Sequence, residues 1–398
     1  KSKKSTGKNT IRCERVINCC IQKLQCSYQI ISLLHIFIQA SVPHIALLAS
    51  GGGQRAAVGL VGFLHQMEKE GLLDTLLYLG GVSGSTWSMA SLYNDPQFST
   101  NMDAAVSRLL DSPSVKLEQA VDWLGERAKE EHFSLADIWG VLTSAGIMKQ
   151  MDLRCLSDEA NRNATNPYPI YLVYNALSHL LGKWFEISPH EAGFTELGLF
   201  IETSLLGSKF QNGTLLEKKK EMDMVKLQGD MADKHTGLSV LERKRPFLLY
   251  SIHVNLIDAG LVINVPYPSF LGDKRDIDLI IAPEYNVCVK LINHFYNYAA
   301  EMEKPFPEIN DTILEDRDWP KDCYVLEGKE KEPTIIYMPL FNRRNCKGLF
   351  PNFSTFQRPF SQEKMKFVLE TAKENVKNNK ETLLKEINKA ALRRHNKW

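Results

Sequence analysis

Ser83 lies in the stretch GGVSGSTW, where Gly81 and Gly84 flank a serine between an apolar run and a helical pattern. A nucleophilic serine on a strand-to-helix turn needs small neighbours, because the turn is tight and the side chain must project from it. A helix beginning at Gly84 would also direct the positive end of its dipole towards Ser83. The last position of the usual G-x-S-x-G pattern is Ser85 here, and glycine-serine turns are common, so the motif does not by itself establish a catalytic serine.

A second glycine turn precedes this one along the chain. The apolar run HIALLAS (44–50) ends at Gly51, Gly52 and Gly53, and a helical pattern follows. In an open parallel sheet such turns emerge at the carboxyl ends of their strands, where ligands bind. Their N–H groups beside Ser83 would form an oxyanion hole, in which each donor contributes about 3 kcal/mol. The alternative, a nucleotide-binding loop, fits less well because GGGQR is not G-x-G-x-x-G.

Two charged residues follow predicted strands and could complete such a site. Arg55 could bind a phosphate or carboxylate through its guanidinium, with a surface charge on the helix as an equal alternative. Asp258, in DAGL after the apolar run HVNLI, could act as the base for Ser83, although Asp-Ala-Gly is a simple turn in most proteins. A triad with His294 has the right chain order, but VKLINHFYNYAA is a helical pattern, which favours a packed or solvated histidine.

An α/β sheet is needed to position these residues. Strand-length apolar runs and helical patterns alternate from residue 44 to residue 93, which predicts parallel neighbouring strands. Residues 102–155 are predicted to be mostly helical, with Ser134 and Asp137 as a capping pair. Later strands are predicted in NPYPIYLVYNAL, KWFEISPHEAGF, YSIHVNLIDAGLVINVPYP and RDIDLIIAPEYN. The lysine-rich segment 214–246 is predicted to be a loop or a remnant, and the tail from Ser361 one long helix with an apolar stripe.

Composition and charge restrict the class of protein. The 398 residues carry a net charge of +1, and 44% of them are hydrophobic, as in an ordinary globular protein. We find no zinc-finger spacing, RNP-like stretch or phosphate-binding P-loop, so no nucleic-acid partner is predicted. Basic residues are concentrated in the first fifteen and last ten residues. Such clusters suit an anionic membrane surface, although solvated basic tails are more common.

The cysteines and apolar segments predict a cytoplasmic location. The eight cysteines form no Cys-x-x-Cys pair, which favours a reducing compartment. The apolar segment 30–38 is too short to span a bilayer, which requires about 20 residues. The expected protein is therefore cytoplasmic, with peripheral membrane contact.

Taken together, the motifs resemble those of the cytosolic phospholipase A2 family (group IV), most closely its calcium-independent gamma-type members. Ser50–Ala56 matches the pattern SGGG-x-RA, Gly81–Trp87 matches GVSGSTW, and Asp258–Pro268 matches DAGL followed by N-x-PYP. Arg275, in GDKRDIDLII, matches a further arginine of the family. These matches occur in order over roughly residues 43–390.

The resemblance implies a patatin-like, three-layer αβα catalytic domain at residues 43–398. It implies a dyad in which Ser83 attacks an ester carbonyl and Asp258 is its base, with no catalytic histidine. In the loop formed by glycines 51–53, Gly52 and Gly53 would bind the oxyanion. Arg55 and Arg275 would bind or support the substrate phosphate, and no metal or other cofactor would take part.

The implied reaction is the hydrolysis of acyl esters of glycerophospholipids and lysophospholipids at a membrane surface. The chain would thus be a calcium-independent phospholipase A2 or lysophospholipase, and an acyl-enzyme on Ser83 could also transfer its acyl group to another acceptor.

Three features depart from the family. Residues 1–42 form a basic, cysteine-containing extension that is too short for a C2 domain. The stretch between GSKF (207–210) and Asp258 is short, which predicts a reduced cap or lid with 214–246 as its remnant. No terminal cysteine of a prenylation box is present, so membrane contact would depend on basic and apolar surfaces. The alternative function is a catalytically weak or inactive lipid-binding relative.

Overall fold

The structure is a computed structural model that describes residues 42–130, 133–162, 165–175, 183–211, 214–232, 256–257, 264–272, 274–285, 291–309, 313, 319–341 and 359–397. Within these ranges the strands are β1 (Ile45–Ala49), β2 (Tyr78–Val82), β3 (Tyr168–Asn175), β4 (Lys183–Ile187), β5 (Glu191–Phe194), β6 (Leu199–Glu202), β7 (Lys209–Gln211), β8 (Thr214–Glu217), β9 (Leu256–Ile257), β10 (Leu279–Glu284), β11 (Tyr324–Leu326) and β12 (Thr334–Pro339). The α-helices are α1 (Gln54–Lys69), α2 (Gly84–Leu92), α3 (Met102–Asp111), α4 (Leu117–Arg127), α5 (Leu135–Val141), α6 (Met224–Ala232), α7 (Leu291–Glu301), α8 (Gln362–Asn378) and α9 (Lys380–Asn396).

A mixed sheet carries the two glycine turns. Its described strands lie in the order β11-β12-β10-β1-β2-β3-β4-β5-β6, with β9 beside β3. The central strands β12, β10, β1, β2 and β3 are parallel to one another. β11, β4, β5, β6 and β9 run antiparallel to their partners. The parallel pairing of β1 with β2 confirms the prediction made from the alternating strands and helices.

Alternate residues of β1 face two hydrophobic layers. Leu47 packs in a cluster that contains side chains of α1, α2, α3, α8 and α9. Leu48 packs in a second cluster on the opposite face, with Phe270 and with Phe295 of α7. A strand covered on both faces is a continuous apolar run, as IALLA is. Helices therefore cover both sides of the sheet, and the predicted three-layer αβα architecture is confirmed.

Most predicted elements are present, with shifted ends. The apolar run before Ser83 forms the expected strand, β2, which follows a short 3₁₀ turn at Leu73–Thr75. Ser134 and Asp137 form the predicted capping box at the start of α5. Of the strand expected in YSIHVNLIDAGLVINVPYP, the described part is β9, and Tyr267–Ser269 is a 3₁₀ turn instead.

The prediction of one long C-terminal helix is wrong, because two helices occupy this region. α8 ends at Asn378 and α9 begins at Lys380. The side-chain amide of Asn379 donates to the carbonyl oxygen of Asn375 at 2.9 Å. Asparagine interrupts helices because its side chain competes for backbone groups in this way.

The segment 214–246 is not a loop where it is described. It contains β8, which pairs with β7, and the helix α6. The lysine-rich composition is misleading, because Lys226 is only 9% exposed and its Nζ lies 3.3 Å from Asp137 Oδ2 and 2.8 Å from Asp230 Oδ1. Residues 233–246 lie outside the described ranges, so the reduced cap stays a prediction.

The basic cluster at the end of the chain holds α9 against the sheet. Arg394 is buried and donates to the carboxylates of Asp276, at 2.5 Å, and Asp278, at 3.4 Å. Lys397 Nζ lies 3.4 Å from Asp278 Oδ1. Because Arg394 and Lys397 are paired within the protein, they form neither a solvated tail nor a membrane-facing patch. The basic cluster in the first fifteen residues lies outside the described part of the chain.

Candidate active site

The two glycine turns meet at the carboxyl edge of the sheet. Ala49 at the end of β1 pairs with Gly81 of β2, so the turns that follow both strands emerge side by side. A Cβ added to Gly84 would lie 2.0 Å from the carbonyl oxygen of Gly53, which shows how closely the turns approach. The backbone therefore places the two turns next to each other, as predicted from the sequence.

Ser83 connects β2 to α2. Its backbone has φ 51° and ψ −127°, in the region that favours glycine, and a serine there stores about 1–3 kcal/mol of strain. The carbonyl oxygen of Ser83 accepts hydrogen bonds from the backbone N–H of Thr86 at 2.9 Å and from its hydroxyl at 2.5 Å. These bonds hold the strained turn, which projects the serine from the amino end of α2.

The glycine loop offers two backbone donors rather than three. The N–H of Gly51 donates to the carbonyl oxygen of Asn264 at 2.9 Å, so it is not available for an oxyanion. This hydrogen bond corrects the prediction that Gly51 is one of the donors. Within the described residues, no hydrogen bond occupies the N–H groups of Gly52 and Gly53. Both glycines have positive φ, 143° and 60°, a conformation that other residues rarely adopt.

Three residues that sequence reasoning did not select fix this loop. Ser85 donates through its hydroxyl to the carbonyl oxygen of Ser50 at 2.6 Å. Ser50 in turn donates to the carbonyl oxygen of Gly51 at 3.1 Å and accepts from the N–H of Tyr285 at 2.7 Å. Asn264 donates to the same Gly51 oxygen at 3.0 Å. All three lie inside the motifs SGGG, GVSGS and N-x-PYP, and this position is the sequence signal that could have identified them.

A buried carboxylate lies behind the loop. Glu284, at the end of β10, is fully buried, and its Oε1 lies 3.4 Å from Nδ2 of Asn264. Burial, and then the charge of Glu284, raises the pKa of both Tyr267 and Tyr285 well above the ordinary value. The charged end of a buried strand, in LIIAPE, is the sequence signal that could have found this residue.

Arg55 lies under the glycine loop. It is 3% exposed, and its Nε donates to the carbonyl oxygen of Tyr285 at 2.6 Å. A Cβ added to Gly52 would lie 3.6 Å from Nη2 of Arg55. The guanidinium is thus adjacent to the predicted oxyanion loop, as a residue of the site would be, and it is not a surface charge.

Arg275 is part of a buried ion-pair network. Its Nη2 lies 2.5 Å from Oε1 of Glu186, which also accepts from Lys274, and its Nη1 donates to the carbonyl oxygen of Ser269. Burial opposes ionisation of Glu186, but the charges of Arg275 and Lys274 outweigh it and hold the pKa of the carboxyl below its ordinary value. Among the described residues, these contacts of Arg275 do not reach Ser83 or the glycine loop, and its phosphate-binding role stays a prediction.

Asp258 lies outside the described residues, so its predicted role as the base is untested. The preceding residue, Ile257, pairs with Tyr174 near the carboxyl end of β3, which neighbours β2. His294 is in α7, as the helical pattern predicted, and its side chain is outside the described part.

Neither a metal centre nor a membrane span occurs in the part of the chain that the structure describes. No group of three or more His, Cys, Asp or Glu side chains there could hold a metal ion. No described helix is long and apolar enough to cross a bilayer.

Fold and site together define an α/β protein with a strained serine turn that contacts a glycine loop. The model of the lysophospholipase catalytic domain family matches residues 45–233. Cytosolic phospholipase A2 gamma of Homo sapiens is 24% identical over 87% of this chain and 89% of that protein. Cytosolic phospholipase A2 zeta of Homo sapiens is 27% identical over 84% of this chain and 52% of that protein.

Solved structures agree with these sequence matches. The structure of human GIVD cytosolic phospholipase A2 in complex with methyl gamma-linolenyl fluorophosphonate has a TM-score of 0.76 and 23% identity, and the match covers 98% of this chain and 65% of that one. The chain is therefore similar to cytosolic phospholipases A2 over most of its length, and the resemblance inferred from its motifs is confirmed. It spans about half of the zeta protein and nearly nine tenths of the gamma protein.

Proposed function

We propose that the chain is a serine acyl hydrolase that cleaves acyl esters of glycerophospholipids and lysophospholipids. The observation that carries this proposal is the contact between the strained Ser83 turn and a glycine loop with two available N–H groups, at the carboxyl edge of parallel strands. The family match supports the substrate class, since the relatives are phospholipases A2.

The proposed mechanism has two acyl-transfer steps. The Oγ of Ser83 attacks the ester carbonyl while Asp258 accepts the hydroxyl proton, and the N–H groups of Gly52 and Gly53 stabilise the negative oxygen. The tetrahedral intermediate then expels the lysophospholipid oxygen, which takes the proton from Asp258. Water attacks the acyl-enzyme in the same way and releases the fatty acid. The amino end of α2 favours the negative charge that develops at Ser83.

Arg55 is proposed to bind the substrate phosphate beside this loop. Its Nε donates to the carbonyl oxygen of Tyr285, which fixes the guanidinium next to the glycine loop, and a guanidinium can bind a phosphate through two nitrogens. We expect Arg55→Lys to raise KM for phosphatidylcholine more than KM for an uncharged ester, because lysine cannot bind bidentately.

Membrane contact is proposed for an outward-facing apolar stripe. Leu135, Ile138, Trp139 and Leu142 recur at helical spacing on α5 and the turn after it, and each is 39% to 61% exposed. The opposite face of α5 packs closely on α6, where a Cβ added to Gly140 would lie 2.4 Å from the carbonyl oxygen of Val225. Exposed apolar stripes of this kind suit the surface of a bilayer, where the proposed substrate lies.

The cytoplasm is the proposed location, and calcium and other cofactors are proposed to be unnecessary. The sequence resemblance to gamma-type members supports calcium independence, and a chelator should leave the rate unchanged.

The test is release of fatty acid from phosphatidylcholine labelled in the sn-2 chain, with chelator present, by the wild-type chain and by Ser83→Ala. Release that disappears in the variant supports the proposal. Release that persists in Ser83→Ala contradicts it. If neither protein releases fatty acid but the wild type binds vesicles, the alternative of an inactive lipid-binding relative is favoured.

A further inference from the structure

We propose that Asn264 is a positioning residue whose side-chain amide fixes the direction of the Gly52 N–H. The inference rests on the proposed function, because it assigns that N–H to the oxyanion. Asn264 does not contact the substrate in this proposal and acts through the backbone of the glycine loop.

The carbonyl oxygen of Gly51 is the point of attachment. It accepts one hydrogen bond from Nδ2 of Asn264 at 3.0 Å and one from the hydroxyl of Ser50 at 3.1 Å. A peptide unit is planar and trans, so this carbonyl and the N–H of Gly52 point in opposite directions. Holding the carbonyl on the side of Asn264 therefore turns the Gly52 N–H to the other side.

The loop needs this restraint because it consists of glycines. Residues without a Cβ rotate their peptide planes with little hindrance, and Gly52 already has a φ of 143°. A flip of the peptide between Gly51 and Gly52 would direct a carbonyl oxygen into the space where an oxyanion must bind. The same flip would leave the buried donors on Asn264 and Ser50 without their acceptor, which opposes it.

Asn264 is itself held in place on two sides. It is 7% exposed, and its backbone carbonyl accepts the N–H of Gly51 at 2.9 Å. Its amide nitrogen also lies 3.4 Å from Oε1 of the fully buried Glu284. With acceptors at Gly51 and at Glu284, both hydrogens of the amide have partners, and the amide has one preferred orientation.

The experiment compares Asn264→Ala with the control Asn375→Ala on a soluble ester, p-nitrophenyl butyrate. Asn375 is also a buried amide, 3% exposed, and donates to the carbonyl oxygen of Asp322 at 3.3 Å, far along the chain in α8. We expect kcat of Asn264→Ala to fall roughly 10- to 100-fold, somewhat less than the loss of a whole oxyanion donor, with KM little changed. Asn375→Ala should keep its kcat at a similar loss of Tm.

A second variant tests the same restraint if Asn264→Ala does not fold. Ser50→Ala removes the other donor to the Gly51 carbonyl and should lower kcat in the same direction. The proposal is overturned if the folded variants keep wild-type kcat, or if Asn375→Ala loses as much.

Failure of the proposed function has a different signature. In that case the wild type neither hydrolyses the ester nor is labelled at Ser83 by a fluorophosphonate. Crystal structures of the wild type and Asn264→Ala then decide the role of Asn264. A flipped or disordered peptide between Gly51 and Gly52 in the variant supports it, and an unchanged peptide overturns it.

Discussion

Gly51 and Ser83 are in direct contact across the two turns. A Cβ added to Gly51 would lie 2.9 Å from the Cβ of Ser83 and 2.3 Å from Oδ1 of Asn264, closer than real Cβ atoms approach. Gly84 is equally constrained by the carbonyl oxygen of Gly53. The absence of side chains at these glycines is what lets the candidate nucleophile and the glycine loop share one site.

Gly51→Ala should therefore abolish most of the activity. The added methyl group must displace Ser83, Asn264 or both, and misplacement of one oxyanion donor lowers kcat by roughly 100-fold or more. Gly125→Ala is the matched control, because Gly125 lies exposed in α4 with no atom within 4 Å of an added Cβ. It should stay active and gain about 1 kcal/mol of stability from helix propensity. Ester hydrolysis and thermal unfolding measure both effects, and full activity in Gly51→Ala would contradict the packing argument.

Ser83→Gly should be inactive but more stable than Ser83→Ala. Both variants lose the hydroxyl, but only glycine relieves the backbone strain at φ 51°, which we expect to be worth about 1 kcal/mol. Urea unfolding of the two variants gives the difference directly. A less stable Ser83→Gly would show that the turn is not strained by its side chain.

We expect the main effect of Arg275→Ala to be on the stability of the protein, with a smaller effect on the binding of the substrate phosphate. Removing one partner of the buried Glu186 is expected to lower the free energy of unfolding by about 3 kcal/mol. The control, Lys329→Ala, breaks the exposed ion pair with Glu308 and should change the free energy of unfolding by less than about 1 kcal/mol. The second measurement is KM at a temperature where the variant is folded. A rise in KM for phosphatidylcholine that is absent for an uncharged ester would support the phosphate-binding role predicted for Arg275.

The stabilising effect of Glu186 should disappear in acid. Because Arg275 and Lys274 hold its folded pKa below the ordinary value of 4.5, its contribution is fully present above pH 4.5 and is lost as the pH falls through the folded pKa. The difference in unfolding free energy between the wild type and Glu186→Gln should accordingly be large at neutral pH and shrink below pH 4.5. A difference that is independent of pH would mean that Glu186 is not ionised in the folded protein.

The double variant Leu135→Ser, Trp139→Ser should bind phosphatidylcholine vesicles several-fold more weakly, because two apolar side chains on the exposed stripe of α5 are lost. Hydrolysis of a soluble ester should be unchanged, since neither residue lies at the serine turn. The control is Leu392→Ser. Leu392 lies on α9 and is 63% exposed, and this variant should bind vesicles as the wild type does. Vesicle sedimentation distinguishes the variants. Equal binding by all three proteins would show that α5 does not contact the membrane.

Local patterns in the sequence were sufficient to predict much of the fold. The apolar runs before Gly51 and Ser83 predicted β1 and β2, and the order of strand and helix predicted their parallel pairing. The same patterns failed where a single residue changed the outcome. Asn379 divides the C-terminal helix, and the buried Lys226 belongs to a helix in a segment whose composition indicated a loop.

The sequence by itself determined which residues form the two turns, because glycine and serine at a strand end are a local requirement of the backbone. Only the tertiary structure decided how those turns are held. The hydrogen bond from Gly51 to Asn264 links residues 213 positions apart, and it removes one expected oxyanion donor. The pairing of Arg275 with Glu186 joins residues 89 positions apart. Such partners are chosen by the packing of the sheet, which no spacing along the chain records.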